Sequence, residues 1–251
     1  MQSETTPLPL IGLVSERKRF LDALQKRESL LLLGPRGCGK TTVIQSVIKA
    51  LPNRDDIVYL RYSPVLHELL VLLARTLVDA HHKYLRRLMP KNGDLAKWLS
   101  QQTSIHLRGI LWNALEAEPK TIILDGVDGA SHPIFRFLQR VYFAPGTTMV
   151  AAARDSVALG ALSRLFWHPQ KVIHFKLLSE VDAEHLFDLA VDRFGLGHLG
   201  IEEFRHKVLE AANGNPGQIV QMCKLATDPQ YVTGKYIKFV PLRMDALMKF
   251  M

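Results

Sequence analysis

Cysteine is scarce in this sequence. Cys38 and Cys223 are the only two among 251 residues, which excludes a disulfide framework, and they lack the spacing of metal ligands. Proline (13) and glycine (16) stay at ordinary levels beside 47% hydrophobic and 22% charged residues, so fibrous and disordered classes fall away. Long apolar runs are missing too. The most apolar stretch, residues 69–78, is too short to span a bilayer and carries Arg75. The first residues show no basic segment leading into an apolar one, so no secretory signal is apparent. Together these absences imply a soluble, cytoplasmic chain with no membrane partner, and unpaired thiols suit a reducing compartment. Length and apolar content suffice to bury a sizeable core, as one large or two small domains.

Carboxylates are also in deficit: 24 Asp and Glu against 32 Lys and Arg leave a net charge of +8. Most of the excess is scattered, as on a solvated surface. Segment 81–91 is denser and holds no acid. On a helix Lys83 shares a face with Arg86 and Arg87, while Leu85, Leu88 and Met89 face elsewhere. A basic rim on an amphipathic helix is one reading, a phosphate-contacting patch the other.

What the chain does have is concentrated early. Leu30-Leu31-Leu32-Leu33 reads as a buried strand feeding Gly34-Pro35-Arg36-Gly37-Cys38-Gly39-Lys40-Thr41-Thr42, after which an amphipathic helix runs over 42–51. Gly34, Gly39, Lys40 and Thr41 satisfy G-x-x-x-x-G-K-[ST], the phosphate-binding loop, in the strand-before, helix-after context that the motif requires. Glycines let successive N–H groups turn inward as an anion nest. The helix start adds its unpaired N–H groups and the positive end of its dipole. Lys40 can then reach the β- and γ-phosphates, and the Thr41 hydroxyl can ligate Mg²⁺.

Further apolar strands are read over 57–60, 121–124, 148–152 and 172–175, each short and suited to burial on both faces of a parallel sheet. Helical patterns over 42–51, 66–89, 94–116, 133–142 and 157–166 separate them, so the expectation is a three-layer α/β domain built of βαβ units. From Ser179 the strands stop. Ser179 caps a helix to Phe194 with Gly195 as its stop, and segments 201–212 and 217–225 complete an all-helical unit. Residues 231–241 alternate weakly and fit a strand, a hairpin or an extended tail.

The third strand ends in Asp125, and a carboxylate at that end points into the crevice where such sheets bind ligands. Mg²⁺ holding is one role for it and turn chemistry with Gly126 the other. Asp128 can orient an attacking water or lie solvated in the loop. Arg154, after the fourth strand, can sense a γ-phosphate, or it can pair with Asp155 or Asp125.

With these motifs the chain resembles the STAND and AAA+ branches of the P-loop ATPases over most of its length. Ile11-Gly12-Leu13-Val14-Ser15-Glu16 is similar to the opening hhGRxxE box, with Leu13 in place of the arginine. Leu124-Asp125-Gly126-Val127-Asp128-Gly129 is similar to the NACHT-type Walker B, though Gly126 and Gly129 stand where acids are usual. Gly214-Asn215-Pro216-Gly217 is similar to the G-N-P motif of the helical lid, and Gly217 and Gln218 occupy the place of a second-sensor arginine. Arg164 falls where AAA+ oligomers carry an arginine finger, or is an ordinary surface arginine.

The resemblance implies ATP with Mg²⁺. Residues Gly34, Pro35, Arg36, Gly37, Cys38, Gly39, Lys40, Thr41 and Thr42 would line the phosphates, with Gly12 near the adenine and Pro216 in the lid turn. Thr41 and Asp125 would hold the metal, and Lys40, Asp128 and Arg154 would serve catalysis. It further implies a parallel five-stranded sheet of order 5-1-4-3-2. The organisation expected is an adenine-proximal segment (1–28), an α/β domain (29–178), a helical lid (179–227) and a strand or tail (228–251). Two readings of function follow. One is an ATPase that hydrolyses slowly as a conformational switch. The other is a nucleotide-dependent module that binds DNA or a protein with little turnover. The resemblance also allows a homo-oligomer in the ATP state.

Overall fold

The computed structural model describes residues 8–52, 54–88 and 94–248. Met89, Pro90 and Lys91 of the basic segment lie outside the described residues, as do the first seven positions and the last three. In chain order the first elements are α1 (Val14–Gln25), β1 (Leu30–Leu33), α2 (Lys40–Ala50), β2 (Ile57–Arg61) and α3 (Leu66–Asp79). Then come α4 (Lys83–Leu88), α5 (Leu95–Ser100), α6 (Ser104–Ala117), β3 (Thr121–Val127), α7 (His132–Tyr142), β4 (Thr148–Ala153) and β5 (Val172–His174). The rest is α8 (Glu180–Phe194), α9 (Ile201–Ala212), α10 (Pro216–Leu225), β6 (Val232–Thr233), β7 (Tyr236–Ile237) and α11 (Phe239–Met248).

These elements form two compact units. The first comprises residues 16–34 and 44–174 among those described. Its strands all run parallel in the order β2-β3-β4-β1-β5, which is the expected 5-1-4-3-2 read from the other edge. Helices flank the sheet in a three-layer α/β arrangement. Alternate strand residues feed one core: Leu31, Val58, Leu60, Ile122, Leu124, Met149 and Ala151 pack with the buried faces of α3, α6 and α7. Their neighbours Leu30, Leu32, Ile123, Val150 and Ala152 are equally buried. Burial of both faces explains why these strands read as unbroken apolar runs.

Three helical expectations are corrected in detail. The pattern over 66–89 divides into α3 and α4. The chain turns at His81, which takes φ +59, and His82 behind it is fully buried. No glycine or proline marks that break, so the burial of His82 against Glu118, whose carbonyl lies 3.2 Å from Nε2, decides it. The pattern over 94–116 becomes α5 and α6, because the Thr103 side chain accepts the His106 N–H at 3.2 Å and starts a new helix. Segment 157–166 narrows to a 3₁₀ turn, Gly160–Leu165, entered through Gly160 at φ +55.

The second unit comprises residues 8–15, 35–43 and 175–248 among those described. Helices α8 to α11 close on Phe187, Phe204, Val208, Ile219 and Leu242. Two aromatic contacts knit the core, Phe187–Phe204 at 5.9 Å and Phe204–Phe239 at 6.3 Å between ring centroids. Ser179 caps α8 by accepting the Asp182 N–H, and Gly195 ends it at φ +66, both as expected from sequence. The alternation over 231–241 resolves into the short antiparallel hairpin β6–β7, after which 239–248 is helical. Pro241 is tolerated there because it sits in the first turn of α11, whose N–H groups need no helical partner.

Candidate functional site

Each unit holds part of the predicted constellation. In the second unit the phosphate loop turns through Gly37 at φ +86 and Gly39 at φ +98, conformations that L side chains avoid. At Gly39 a Cβ would also stand 2.6 Å from Leu13 Cδ1, so both backbone shape and packing require glycine. The helical ladder of α2 begins where Val43 N–H donates to Gly39 O at 2.9 Å, which aims the N–H groups of the preceding turn out of the helix start. Lys40 Nζ lies over the loop, donating to Pro35 O at 3.0 Å and standing 3.6 Å from Cys38 Sγ. Cys38 itself is buried, and burial pushes its thiol above the ordinary range.

The turn before α10 grips this loop. Asn215 is a buried N-cap whose side-chain oxygen accepts the Gln218 N–H at 3.2 Å. Its Nδ2 donates to Arg36 O at 2.8 Å, and Gly217 N–H donates to Gly37 O at 3.0 Å. Pro216 lies between these two bonds. The approach to this turn is tightly determined. Gly214 takes φ +76, and a Cβ on it would lie 2.6 Å from Leu178 O. Gly12 takes φ +67, where a Cβ would meet Leu178 Cδ2 at 2.7 Å.

A cavity of about 550 Å³ opens beside the loop. Gly37, Gly39 and Thr42 form one side, and the Leu8–Leu13 stretch, Phe194 and Pro216 contribute mostly apolar walls. Apolar walls with a cluster of polar groups at one end are what a base joined to phosphates needs. The sequence reading named Pro216 and the N-terminal segment, and both contribute lining residues, although Gly12 itself does not; it missed the Asn215 bond to Arg36 and the wall from Phe194. The Asn-Pro pair signals a cap, but not which carbonyl its amide will meet.

In the first unit Gly34 N–H donates to Ala153 O at 3.3 Å, so the start of the phosphate motif is tied to the end of β4. Asp125 is buried near the end of β3, beside a bulge in which Gly126 takes φ +77. Its Oδ2 accepts the Tyr59 hydroxyl at 2.8 Å, and its carbonyl accepts the Tyr62 N–H at 2.9 Å. Burial, then the adjacent carboxylate, pushes the Tyr59 hydroxyl up to about 12. Burial and the charge of Asp128 do the same for Tyr62, also to about 12. Sequence reasoning missed both tyrosines: Tyr59 reads as one more strand residue and Tyr62 lies just past the strand end, and neither position announces the carboxylate it faces.

Asp128 is exposed in the loop after β3. Arg154 is exposed and pairs with Asp155, Nε to Oδ2 at 3.0 Å, which is one of the two arrangements left open from sequence. The Asp155 carboxyl is held below the usual range, first by the Ala158 N–H at 2.7 Å and then by Arg154. Arg164 is exposed within the 3₁₀ turn.

A parallel sheet whose first strand delivers a G-x-x-x-x-G-K-T loop to a helix start defines a P-loop NTPase, and the helical segment that follows places it in the AAA+ type. A family profile described as "AAA domain" matches residues 23–153, just over half of the chain, and the chain belongs to that family.

Solved structures share the fold at low identity. Cdc6p from Pyrobaculum aerophilum superposes with a TM-score of 0.63 at 15% identity, over 90% of this chain and 64% of that one. The ORC1 protein of Aeropyrum pernix, solved in complex with DNA, gives 0.67 at 14%, over 99% and 68%. A STAND protein with a tetratricopeptide repeat sensor from Pyrococcus horikoshii gives 0.50 at 15%, over 100% of this chain and 34% of that one. The chain thus spans about two thirds of the first two neighbours' length. No curated protein matches the chain. Among the described residues no helix is long and apolar enough to cross a membrane.

Proposed function

We propose that the protein binds ATP with Mg²⁺ and hydrolyses it slowly, using the nucleotide state to reposition its helical segment. The observation that carries this reading is the pair of hydrogen bonds from Asn215 and Gly217 to the carbonyls of Arg36 and Gly37. A helix start that holds the phosphate loop by its backbone responds to whatever fills that loop. The loop fits a polyphosphate: two left-handed glycines, a helix start and the Lys40 ammonium offer donors and positive potential together. In this reading Lys40 neutralises the β- and γ-phosphates, and the cavity beside Phe194 takes the base.

Thr41 and Asp125 are hard oxygen donors of the kind Mg²⁺ prefers, and Tyr59 holds one Asp125 oxygen in a fixed direction. Bound Mg²⁺ would offset the charge that develops on the transferring phosphoryl group. Asp128 is assigned to orient the attacking water and Arg154 to contact the γ-phosphate, which requires Arg154 to leave Asp155. Slow turnover follows from Gly126 and Gly129, which stand where relatives of this type carry further acids.

The same glycines favour a second reading, a nucleotide-dependent module with little turnover that binds DNA or a protein. The ORC1 neighbour solved with DNA supports that comparison at the level of fold. Steady-state phosphate release distinguishes the two. Wild type should release phosphate above the Lys40→Ala background, and Asp128→Asn should fall toward it by about tenfold or more, the usual contribution of a positioned general base or water orienter. ATP binding without release above the Lys40→Ala background would leave only the second reading.

A further inference from the structure

Helix α6 has an outer face that the other described residues leave open. Ile105 on that face is 75% exposed. Beside it, where α6 meets α7, runs a groove of about 490 Å³. Ile105, Gly109 and Trp112 form its apolar side, and Arg108, Arg136 and Arg140 form its rim. Among the described residues no carboxylate lines it. A second depression of about 540 Å³ lies on the other flank of α6, shares Ile105 and Gly109, and is walled by Tyr84 and Trp98.

Gly109 is the informative residue. A glycine inside a helix costs about 0.5–1 kcal/mol relative to alanine. Among the described residues a Cβ at Gly109 would meet nothing within 4 Å, so no described neighbour demands the glycine. What its missing side chain does is leave the groove floor open. Arg140 is fixed as well, its guanidinium 3.9 Å from the Trp112 ring centroid, which pre-organises one cation of the rim.

We propose that this face is a docking groove for an acidic amphipathic helix of a partner protein. Charge complementarity supports that occupant, since three guanidinium groups and no acid face the groove. Spacing supports it too. Arg136 and Arg140 stand one helical turn apart on α7, the separation of carboxylates at i and i+4 on a partner helix. A nucleic acid would satisfy the arginines but would offer only sugar and phosphate to the trough lined by Ile105. The Trp112 face that could stack a base is already taken by Arg140. An apolar stripe in the trough with acids along one edge matches both features.

Selection of a displayed random-peptide library on the full chain tests the proposal. Enriched peptides should carry Asp or Glu one turn apart beside an apolar stripe. Fluorescence anisotropy with a selected peptide should show binding that Gly109→Gln, which fills the floor, and Arg136→Glu, which reverses the rim, each weaken by about tenfold or more. A peptide with its acids replaced by lysine should not bind. Both substitutions are at exposed helix positions, and a thermal midpoint no lower than wild type together with unchanged phosphate release will show that the variants fold. No enrichment, enrichment of basic peptides, or binding indifferent to both variants would overturn the proposal. Binding of a DNA oligonucleotide that both variants weaken, with no acidic peptide enriched, would overturn it in favour of nucleic acid.

Discussion

Lys120, just before β3, is only 3% exposed. Three oxygens hold it: Glu118 Oε1 at 2.6 Å, Asp55 O at 3.1 Å and Asp56 Oδ1 at 3.7 Å. The Lys120 hydrogen bond holds the Glu118 carboxyl below its usual range. A depressed carboxylate contributes stability that is present above its unfolded pKa near 4.3 and is lost as pH falls through the folded value. Glu118→Gln should therefore destabilise the fold at pH 7 by about 1–3 kcal/mol, because a buried ammonium loses its best partner. The variant's thermal midpoint should also fall less steeply than wild type below about pH 4.3. At Asn215 two functions separate. Asn215→Asp keeps the cap oxygen and loses the donor to Arg36 O, whereas Asn215→Ala loses both. Alanine should cost about 1–3 kcal/mol and aspartate less, while both weaken ATP binding measured by calorimetry.

At the scale of elements, helix α6 pays an internal glycine that its packing does not need. Gly109→Ala should stabilise the protein by about 0.5–1 kcal/mol, read as a higher denaturant midpoint at unchanged slope. A fall in stability would mean that a neighbour does occupy the space. Elements also show where sequence signals were sufficient. Ser179 and Gly195 mark helix ends through local chemistry, and each acts in the structure where the sequence places it. The break between α3 and α4 has no such mark. His81 takes a left-handed turn because His82 is buried against the Glu118 carbonyl, a contact 36 positions away.

For the whole molecule, ligand linkage is the test that integrates the site. Anything that binds the folded state alone stabilises it, by about 2.7 kcal/mol when free ligand exceeds the dissociation constant a hundredfold. Thermal scans with rising ATP and Mg²⁺ should move the wild-type midpoint upward and leave Lys40→Ala in place. An equal shift in the variant would mean that the nucleotide binds without the phosphate loop.

The sequence by itself determined the phosphate loop and the two-part succession of α/β elements followed by helices. Those features are written in neighbouring residues: apolar runs too short for helices, glycines at fixed offsets before Lys40 and Thr41, caps at helix starts. Tertiary structure alone decided which groups meet across long separations. Tyr59 reaches Asp125 only because β2 adjoins β3, and Asn215 reaches Arg36 O across 179 positions. The arginine-rimmed groove on α6 exists because α7 lies beside it after an intervening strand. Hydrogen bonds and packing act over a few ångströms, so a contact between distant residues becomes legible only once the fold has brought them together.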